Sequence, residues 1–324
     1  MLSSKQFVLL SAYCLLLTAG CAHVPLDARY PGPKLLPLEV AAYYAYPTAT
    51  PTAHVELLEE RPRFSRFLVR FPLHVVDFEP TEPVIELEWF ESKAKGARPA
   101  ILFSPILGGD YPLERGICQF FASHGFHVAL VHRKTLKVAP EKDASYLELL
   151  LRQAIVRNRQ VVDWMASQRT VDPQQLGGFG ISMGGMATCI TAALEPRLRC
   201  HVVALAGGPL ADILRDSRDS LLTKPRIRYL SHHQIDLATM HRMLNEQLKT
   251  DPIRLAPYID ARKLLMFIAL FDRTVGRANA FRLWRALGRP EVLFIPLGHY
   301  TSYLYLPVLK RASLRFFQKH LENR

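Results

Sequence analysis

The chain has 324 residues, of which 49% are apolar and 22% are charged, and this balance is typical of a packed globular protein rather than a disordered one. Lys and Arg outnumber Asp and Glu by 41 to 29, so the formal net charge is +12, which favours either an anionic partner or a basic solvated surface. After the N-terminus no apolar run reaches about 18 residues, which excludes a multi-pass membrane protein, and the five irregularly spaced cysteines exclude a disulfide-stapled miniprotein and a multi-cysteine zinc scaffold.

Residues 1–20 have the pattern of a lipoprotein signal peptide. Lys5 precedes an apolar run, Phe7–Leu17, that is too short to span a bilayer comfortably, and small residues follow it. The segment Leu17-Thr18-Ala19-Gly20-Cys21 resembles the bacterial lipobox. That resemblance implies that Cys21 is lipidated, with palmitate among its acyl chains, and becomes the mature N-terminus. An ordinary signal peptide followed by a chance cysteine is the alternative.

The residue after the cysteine bears on the destination of the protein. Ala22 stands there instead of Asp, and by the same resemblance this implies the outer membrane. We therefore expect an exported protein whose partner is a membrane, held through an N-terminal lipid anchor.

Residues 21–63 are predicted to form a Pro-rich tether. Proline fixes φ and has no amide hydrogen, so a stretch with this many prolines is expected to be extended and irregular. Leu35, Leu36 and a cluster of tyrosines make the stretch too apolar to be fully solvated. We therefore expect part of it to lie against the domain that follows.

Strand and helix patterns alternate over residues 64–324. Continuous apolar runs such as Ala100–Ser104 are typical of strands buried on both faces, whereas Ala144–Gln168 has helical spacing and follows Asp143, a candidate N-cap. The other predicted strands are Phe67–Phe71, Ile85–Phe90, His127–His132, Leu176–Ile181, His201–Ala206, Leu264–Phe271 and Glu291–Pro296, and the other helices are Leu113–His124, Met183–Leu194, Arg277–Leu287 and Ser302–Leu321. This alternation predicts an α/β fold with a mostly parallel, doubly wound sheet and ligands at the carboxyl ends of its strands.

The turn after the predicted strand Leu176–Ile181 contains the pattern Gly180-x-Ser182-x-Gly184. A serine on a sharp strand-to-helix turn has a strained backbone and close neighbours, and glycines two residues before and after it remove side chains that would clash. The helix that follows points its first amides at the same position. The pattern therefore predicts that Ser182 is a nucleophile, with a glycine-rich turn around an idle serine as the alternative.

With this motif, residues 64–324 resemble the α/β-hydrolase superfamily, and in particular bacterial esterase-like members with a Gly-Ile-Ser-Met-Gly-Gly turn. In that fold an acid and then a histidine follow the nucleophile along the chain. Asp272 directly follows one apolar strand and His299 follows the last one, so both lie at carboxyl ends of strands. We therefore predict a triad of Ser182, Asp272 and His299 that needs no cofactor. Asp260 is a weaker candidate acid because it precedes its strand.

Two backbone amides are expected to bind the negative oxygen of the intermediate. One is the amide of Met183, the residue after the nucleophile. The other is assigned to Leu107, because the glycines of the loop Pro105–Asp110 align with those of the corresponding family loop, although the usual His-Gly-x-Gly pattern is incomplete here. A merely flexible turn in this loop is the alternative.

Residues 209–262 interrupt the alternation at a place where this fold often has a lid. An apolar stripe in this insertion either lines an acyl pocket or packs onto the domain; its members are Leu237, Met240, Leu244 and Leu248. The insertion also contains His232, His233 and His241, but their spacing does not suit a metal ion, and no metal site is predicted.

Taken together, these patterns predict a membrane-anchored serine hydrolase of small-molecule or lipid-like carboxylic esters. A peptidase or acyltransferase with the same triad and a non-catalytic surface lipoprotein are the alternatives. Basic residues concentrate between Arg262 and Arg289 without a nucleic-acid-binding motif, so no nucleic-acid partner is predicted. Anionic lipid headgroups or plain solvent are the candidate surroundings of this basic segment.

Overall fold

A computed structural model of the chain describes residues 22–48, 51–108, 110–133 and 140–322. The predicted signal peptide and Cys21 lie outside the described residues. The strands are β1 (Ala22–Val24), β2 (His54–Glu60), β3 (Phe64–Pro72), β4 (Val84–Ser92), β5 (Arg98–Ser104), β6 (His127–Val131), β7 (Val171–Ile181), β8 (Leu198–Ala204), β9 (Leu264–Ala269) and β10 (Glu291–Ile295). The helices are α1 (Leu38–Tyr43), α2 (Pro112–Ala122), α3 (Ala144–Ser167), α4 (Met183–Leu194), α5 (Leu210–Asp216), α6 (Ser220–His233), α7 (Leu237–Gln247), α8 (Pro252–Leu255), α9 (Arg277–Ala286) and α10 (Leu306–Phe317).

Within the described residues, the strands form one sheet in the order β1-β10-β9-β8-β7-β5-β6-β4-β3-β2. The strands from β10 to β6 pair in parallel, and the outer pairs at both ends of the sheet are antiparallel. Helices cover both faces. The α/β fold class with a mostly parallel central sheet is therefore confirmed.

Side chains of the central strands alternate between two apolar cores. In β5, Ile101 and Phe103 face a core that includes residues of α2 and α10, whereas Ala100 and Leu102 face a core that includes residues of α3. Every residue of β9 is buried. This is the burial expected of parallel strands with helices on both sides, and it explains why their sequences are continuous apolar runs.

One helix begins where the sequence predicts, whereas another is divided where the sequence predicts a continuous helix. The carboxylate of Asp143 accepts a hydrogen bond from the amide of Tyr146 at 3.1 Å, which caps α3 as predicted. The final helix, predicted to be continuous over Ser302–Leu321, is divided instead into a 3-10 turn (Thr301–Tyr305), α10 and a π-helical turn (Gln318–Glu322). None of the described helices combines the length and apolar character that a membrane span requires.

The segment 21–63 differs from the predicted tether. Ala22–Val24 forms β1 against β10, and His54–Glu60 forms β2 against β3, so two parts of the described segment belong to the sheet. Between them, Tyr44 is 1% exposed and its hydroxyl lies 3.0 Å from that of Thr250. The prolines lie between segments that pair or pack. The predicted domain boundary at residue 64 therefore falls between two paired strands.

The insertion at residues 209–262 consists of helices α5 to α8 and short 3-10 turns between β8 and β9. Met240, Leu244 and Leu248 are buried in the core beneath it, whereas Leu237 is 38% exposed. Of the two roles predicted for this apolar stripe, packing onto the domain is the one that the structure has.

Candidate active site

The arrangement of strands creates a crevice between β5 and β7. The chain passes from β5 to β6 on one side of β5 and then returns to place β7 on the other side, so the strand order changes direction between these two neighbours. The segments that leave β5 and β7 diverge at their carboxyl ends, and ligands bind at such points in open α/β sheets. Leu107 lies in the segment after β5, and Ser182 directly follows β7.

Ser182 occupies a sharp turn with a backbone conformation that is unfavourable for a side chain. Its φ is +57° and its ψ is −121°, and α4 begins at the next residue. Its amide donates a hydrogen bond to the carbonyl of Ala204 at 2.8 Å, which ties the turn to β8. The hydrogen bond to the sheet therefore stabilises the strained conformation of Ser182. Its hydroxyl projects beyond the carboxyl end of the sheet.

The glycines on either side of Ser182 are required by the close approach of the backbone. A Cβ at Gly180 would lie 2.2 Å from the carbonyl oxygen of Gly184, and a Cβ at Gly184 would lie 2.0 Å from that of Ser104. Both distances are far below van der Waals contact. The Gly-x-Ser-x-Gly pattern thus permits β5, β7 and α4 to meet at the serine.

The three residues predicted to form a triad lie in one hydrogen-bonded chain. Nε2 of His299 is 3.0 Å from Oγ of Ser182, and Nδ1 of His299 is 2.7 Å from Oδ2 of Asp272. The side chains of Asp272 and His299 are 2% and 9% exposed. A histidine held between a buried carboxylate and a serine hydroxyl is placed to take the proton of that hydroxyl.

Local hydrogen bonds fix the orientation of the Asp272 carboxylate. Its Oδ1 accepts the backbone amides of Thr274 at 2.8 Å and Val275 at 2.9 Å, so Oδ2 is the oxygen that faces the histidine. Asp260, the weaker candidate, pairs with Arg262 and caps a 3-10 turn instead. The structure therefore brings Asp272, and not Asp260, to the histidine.

A buried glutamate and a partly buried arginine hold the segment after β5. Oε1 of Glu114 accepts the backbone amide of Ile106 at 3.1 Å, and the guanidinium of Arg133 donates to the carbonyls of Pro105 and Ile106. Leu107 and Met183 both line the cavity beside Ser182. The predicted pair of oxyanion donors therefore borders the same space as the serine. The contribution of Glu114 and Arg133 was not predicted, because neither residue belongs to a motif.

The cavity beside Ser182 has a volume of about 220 Å³ and a mostly aliphatic lining. The insertion contributes to this lining through α5 and α6, and not through the stripe on α7. Apolar lining residues from helices α2 to α6 and α10 are Leu113, Leu147, Leu151, Met183, Met186, Leu210, Ile213, Leu214, Leu221, Leu222, Leu306 and Leu309. Strands and connecting segments add Ile106, Leu107, Ile181, Leu205, Val275 and Ile295.

A hydrogen bond joins the insertion, residues 209–262, to the segment that contains His299. The hydroxyl of Tyr300 donates to Oδ2 of Asp219, which also accepts from Oγ1 of Thr274 at 2.8 Å, while Oδ1 of Asp219 caps the first turn of α6. Partial burial and the nearby negative charge raise the pKa of Tyr300 to about 12. Burial raises the pKa of Asp219, but the hydrogen bonds from Tyr300 and its other donors outweigh it and hold the pKa below its usual value. The only sequence signal for this contact was the position of Tyr300 next to His299.

The histidines of the insertion have other partners. Nε2 of His241 lies 2.6 Å from Oδ1 of Asp212, which Arg282 also contacts through the other carboxylate oxygen, and His233 lies 2.8 Å from the carbonyl of Pro140. Over residues 22–48, 51–108, 110–133 and 140–322, no group of three His, Cys, Asp or Glu side chains is arranged to hold a metal ion.

Known proteins resemble this chain in both sequence and structure. An uncharacterized protein of Mycobacterium tuberculosis is 29% identical over 176 residues, which cover 53% of this chain but only 38% of that protein. Acetyl xylan esterases from Paenibacillus sp. R4 and from Thermoanaerobacterium sp. superpose with TM-scores of 0.64 and 0.62 at 20% and 16% identity. They cover 88% and 89% of this chain and 100% and 99% of their own.

An acylaminoacyl peptidase from Pyrococcus horikoshii superposes with a TM-score of 0.55 at 14% identity, over 85% of this chain and 42% of that one. At these low identities the structural likeness shows the α/β-hydrolase fold. The sequence model of the Prolyl oligopeptidase family matches residues 115–300, which is more than half of the chain and includes the serine, the acid and the histidine. The chain therefore belongs to the prolyl oligopeptidase family and has the α/β-hydrolase fold.

Proposed function

We propose that this protein hydrolyses carboxylic esters through Ser182, His299 and Asp272. The observation that carries the proposal is the continuous hydrogen-bonded chain from the serine hydroxyl through the imidazole to a buried carboxylate. The serine at the start of this chain lies on a strained turn beside an apolar cavity. Nucleophile, base and orienting acid are thus arranged at the mouth of a space that suits an ester.

The first half of the reaction forms an acyl-enzyme. Nε2 of His299 takes the proton of Ser182 as Oγ attacks the ester carbonyl carbon, and the carbonyl oxygen becomes an oxyanion. The amides of Met183 and Leu107 stabilise this oxyanion. The protonated imidazole then gives its proton to the leaving alcohol as the ester C–O bond breaks. Oδ2 of Asp272 accepts a hydrogen bond from the Nδ1–H of His299 throughout and stabilises the imidazolium.

The second half of the reaction releases the acid. Water attacks the acyl carbon while Nε2 of His299 takes one of its protons, and the second oxyanion occupies the same two amides. When this intermediate collapses, the proton returns to Oγ of Ser182. The balance is one water consumed, with one alcohol and one carboxylic acid formed.

The cavity favours an ester over a peptide. Among the residues that the structure describes, its lining contains no Asp, Glu, Lys or Arg to hold a peptide terminus or a charged side chain. Two of the similar structures are named as acetyl xylan esterases, whereas the family name and the Pyrococcus protein point to peptide bonds. Peptide hydrolysis is therefore the outcome against which the proposal is tested.

The experiment compares the wild type with Ser182→Ala on p-nitrophenyl esters and on aminoacyl p-nitroanilides. We expect ester turnover by the wild type, its loss in the variant together with labelling by a fluorophosphonate probe, and little anilide cleavage. Ser231→Ala, an exposed serine on α6, is the matched control and retains both activity and labelling. Unchanged ester turnover by Ser182→Ala, or a clear preference for anilides, contradicts the proposal.

We further propose that the protein is exported and anchored to the outer membrane through lipidated Cys21. Support comes from the lipobox and from Ala22, the next residue, which pairs with Phe294 near the carboxyl end of β10. Ala22 therefore lies at the end of the sheet where His299 also lies. The basic helix α9 packs at this edge, because the ring of Phe281 stacks on that of Phe294 with their centroids 5.4 Å apart. Anionic lipid headgroups attract arginines close to a membrane surface, which also supports the proposal.

The anchor is tested by fractionation and by labelling with radioactive palmitate. Cys21→Ser is expected to release the protein from membranes and to abolish labelling, because several acyl chains supply nearly all of the membrane affinity. Cys14→Ser, within the signal peptide, is the matched control and changes neither result. Membrane association of Cys21→Ser at the wild-type level contradicts the proposal.

A further inference from the structure

The cavity beside Ser182 is apolar well beyond what the chemistry of an ester bond requires. Its polar lining groups, among them Thr274, Tyr300 and Ser302, accompany Ser182 and His299, whereas the rest of the described lining is almost entirely aliphatic. A sugar ring would lose its hydrogen bonds to water in such a space and would find few replacements, at a cost in free energy for each hydroxyl. A hydrocarbon chain has no hydrogen bonds to water to give up, and its transfer out of water is favourable.

The size of the cavity sets the length of the chain that it holds. An apolar cavity of about 150 Å³ holds benzene, which has six carbons. The present cavity measures about 220 Å³, and by the same ratio it holds roughly eight or nine carbons. An acetyl group would leave most of this space empty, and unfilled apolar space forfeits the packing contacts of its walls.

The walls come from elements that are distant in sequence, so the cavity is a feature of the assembled fold. Leu147 and Leu151 lie on α3, Ile213 on α5, Leu222 on α6 and Leu306 on α10. The contact between Tyr300 and Asp219 ties α6 to the segment that contains His299, so the insertion wall is fastened beside the reacting atoms.

We infer that the substrate is an ester with an unbranched aliphatic arm of roughly eight carbons, and that the cavity binds this arm; the inference rests on the proposed ester hydrolysis. The arm belongs to the substrate class of medium-chain acyl or alkyl esters. Acetylated polysaccharides, which the names of the structural neighbours suggest, do not have such an arm.

Binding without catalysis tests the cavity apart from the chemistry. Alkyl acetates from ethyl to decyl are titrated calorimetrically into Ser182→Ala. We expect the dissociation constant to fall about two- to fourfold with each added methylene until the arm has roughly eight carbons, and then to level off. A dissociation constant that does not depend on chain length overturns the inference.

Turnover by the wild type is measured in parallel on p-nitrophenyl esters from acetate to dodecanoate. A maximum of kcat/KM near the octanoate supports the inference, whereas acetate as the best substrate in this series, with no gain from length in the binding series, overturns it while ester hydrolysis stands. If binding depends on length but no ester is hydrolysed, the proposed function fails and the aliphatic cavity stands.

Two variants change the size of the cavity in opposite directions. Leu147→Trp fills it, and we expect the ratio of kcat/KM for octanoate to that for acetate to fall at least tenfold. Leu222→Ala enlarges it, and the optimum is expected to move to longer chains by roughly two carbons, the length of the side chain removed. Leu149→Trp, on the same helix as Leu147 but outside the cavity lining among the described residues, is the matched control and keeps the wild-type profile. Unchanged profiles in both cavity variants, with melting temperatures near that of the wild type, contradict the inference.

Discussion

Oε1 of Glu114 accepts the backbone amide of Ile106 at 3.1 Å, from a side chain that is completely buried in α2. This contact decides which amide in the segment after β5 is available to a substrate, because the amide of Ile106 is already used. Leu107 is the next residue along the chain, and it lines the cavity. Glu114 is therefore a positioning residue for the proposed oxyanion donor at Leu107.

The first prediction concerns this contact. Glu114→Leu removes the acceptor of the Ile106 amide, so this amide needs a new partner and the segment after β5 shifts. We expect kcat to fall on the order of 10²-fold with KM little changed, because a small misplacement of catalytic groups has an effect of this size. Glu114→Gln keeps an acceptor oxygen and is expected to retain kcat within a few fold. Steady-state kinetics on p-nitrophenyl octanoate measure both, and equal kcat values for Leu and Gln would contradict the role.

The second prediction separates the two candidate acids. Asp272→Asn removes the negative charge that orients and stabilises the imidazole, and we expect kcat to fall on the order of 10³- to 10⁴-fold with the fold intact. The amides of Thr274 and Val275 still find an acceptor oxygen in the asparagine. Asp260→Asn is the control, since Asp260 pairs with Arg262, and its kcat is expected to stay within twofold. The opposite ranking of the two variants would assign the acid to Asp260.

The third prediction concerns the turn at Ser182. In Gly184→Ala the new Cβ meets the carbonyl oxygen of Ser104 at 2.0 Å, and backbone cannot yield as a side chain can, so we expect a loss of roughly 3 kcal/mol or more in the free energy of unfolding together with loss of activity. Gly116→Ala is the control, because apart from the adjacent backbone of α2 nothing lies within 4 Å of the new Cβ, and it should raise this free energy by about 0.5–1 kcal/mol. Urea unfolding measures both, and similar effects of the two variants would refute the steric argument.

The fourth prediction concerns the pH dependence of stability. Glu88 is 1% exposed, and although burial raises its pKa, hydrogen bonds from His132 and Arg115 outweigh this and lower the pKa to about 2 from 4.5. A lowered folded-state pKa contributes stability above about pH 4.5, and this contribution is lost as the pH falls toward 2. Glu88→Gln is therefore expected to lower the free energy of unfolding at pH 7 by roughly 2 kcal/mol and to reduce its slope between these pH values.

Unfolding in urea at a series of pH values measures this difference. Glu141→Gln, at an exposed glutamate, is the control and leaves the curve unchanged. If the free energy of unfolding depends on pH in the same way for the wild type and for Glu88→Gln, the ion pairs of Glu88 do not contribute to the pH dependence of stability. Arg115 also donates to the carbonyl of Asp110, in the segment after β5, so a loss of activity is expected to accompany the loss of stability.

The sequence by itself determined the features that depend on near neighbours. Gly180 and Gly184 are required by a steric conflict within one turn, and the continuous apolar runs before Asp272 and His299 show that both residues follow buried strands. Parallel strands end at a common edge, so their placement at that edge follows from pattern alone. The fold class was predictable for the same reason.

Only the tertiary structure decided the features that depend on distant partners. An apolar stripe shows that one helix face is buried but not against what, so the stripe containing Met240 and Leu244 did not reveal that α5 and α6 form the cavity wall. A short edge strand is stabilised by the strand beside it, so Ala22–Val24 became recognisable only against β10. The choice of the Leu107 amide as the proposed oxyanion donor likewise depends on Glu114, because Glu114 occupies the amide of Ile106. Glu114 reaches Ile106 only when α2 packs onto the sheet.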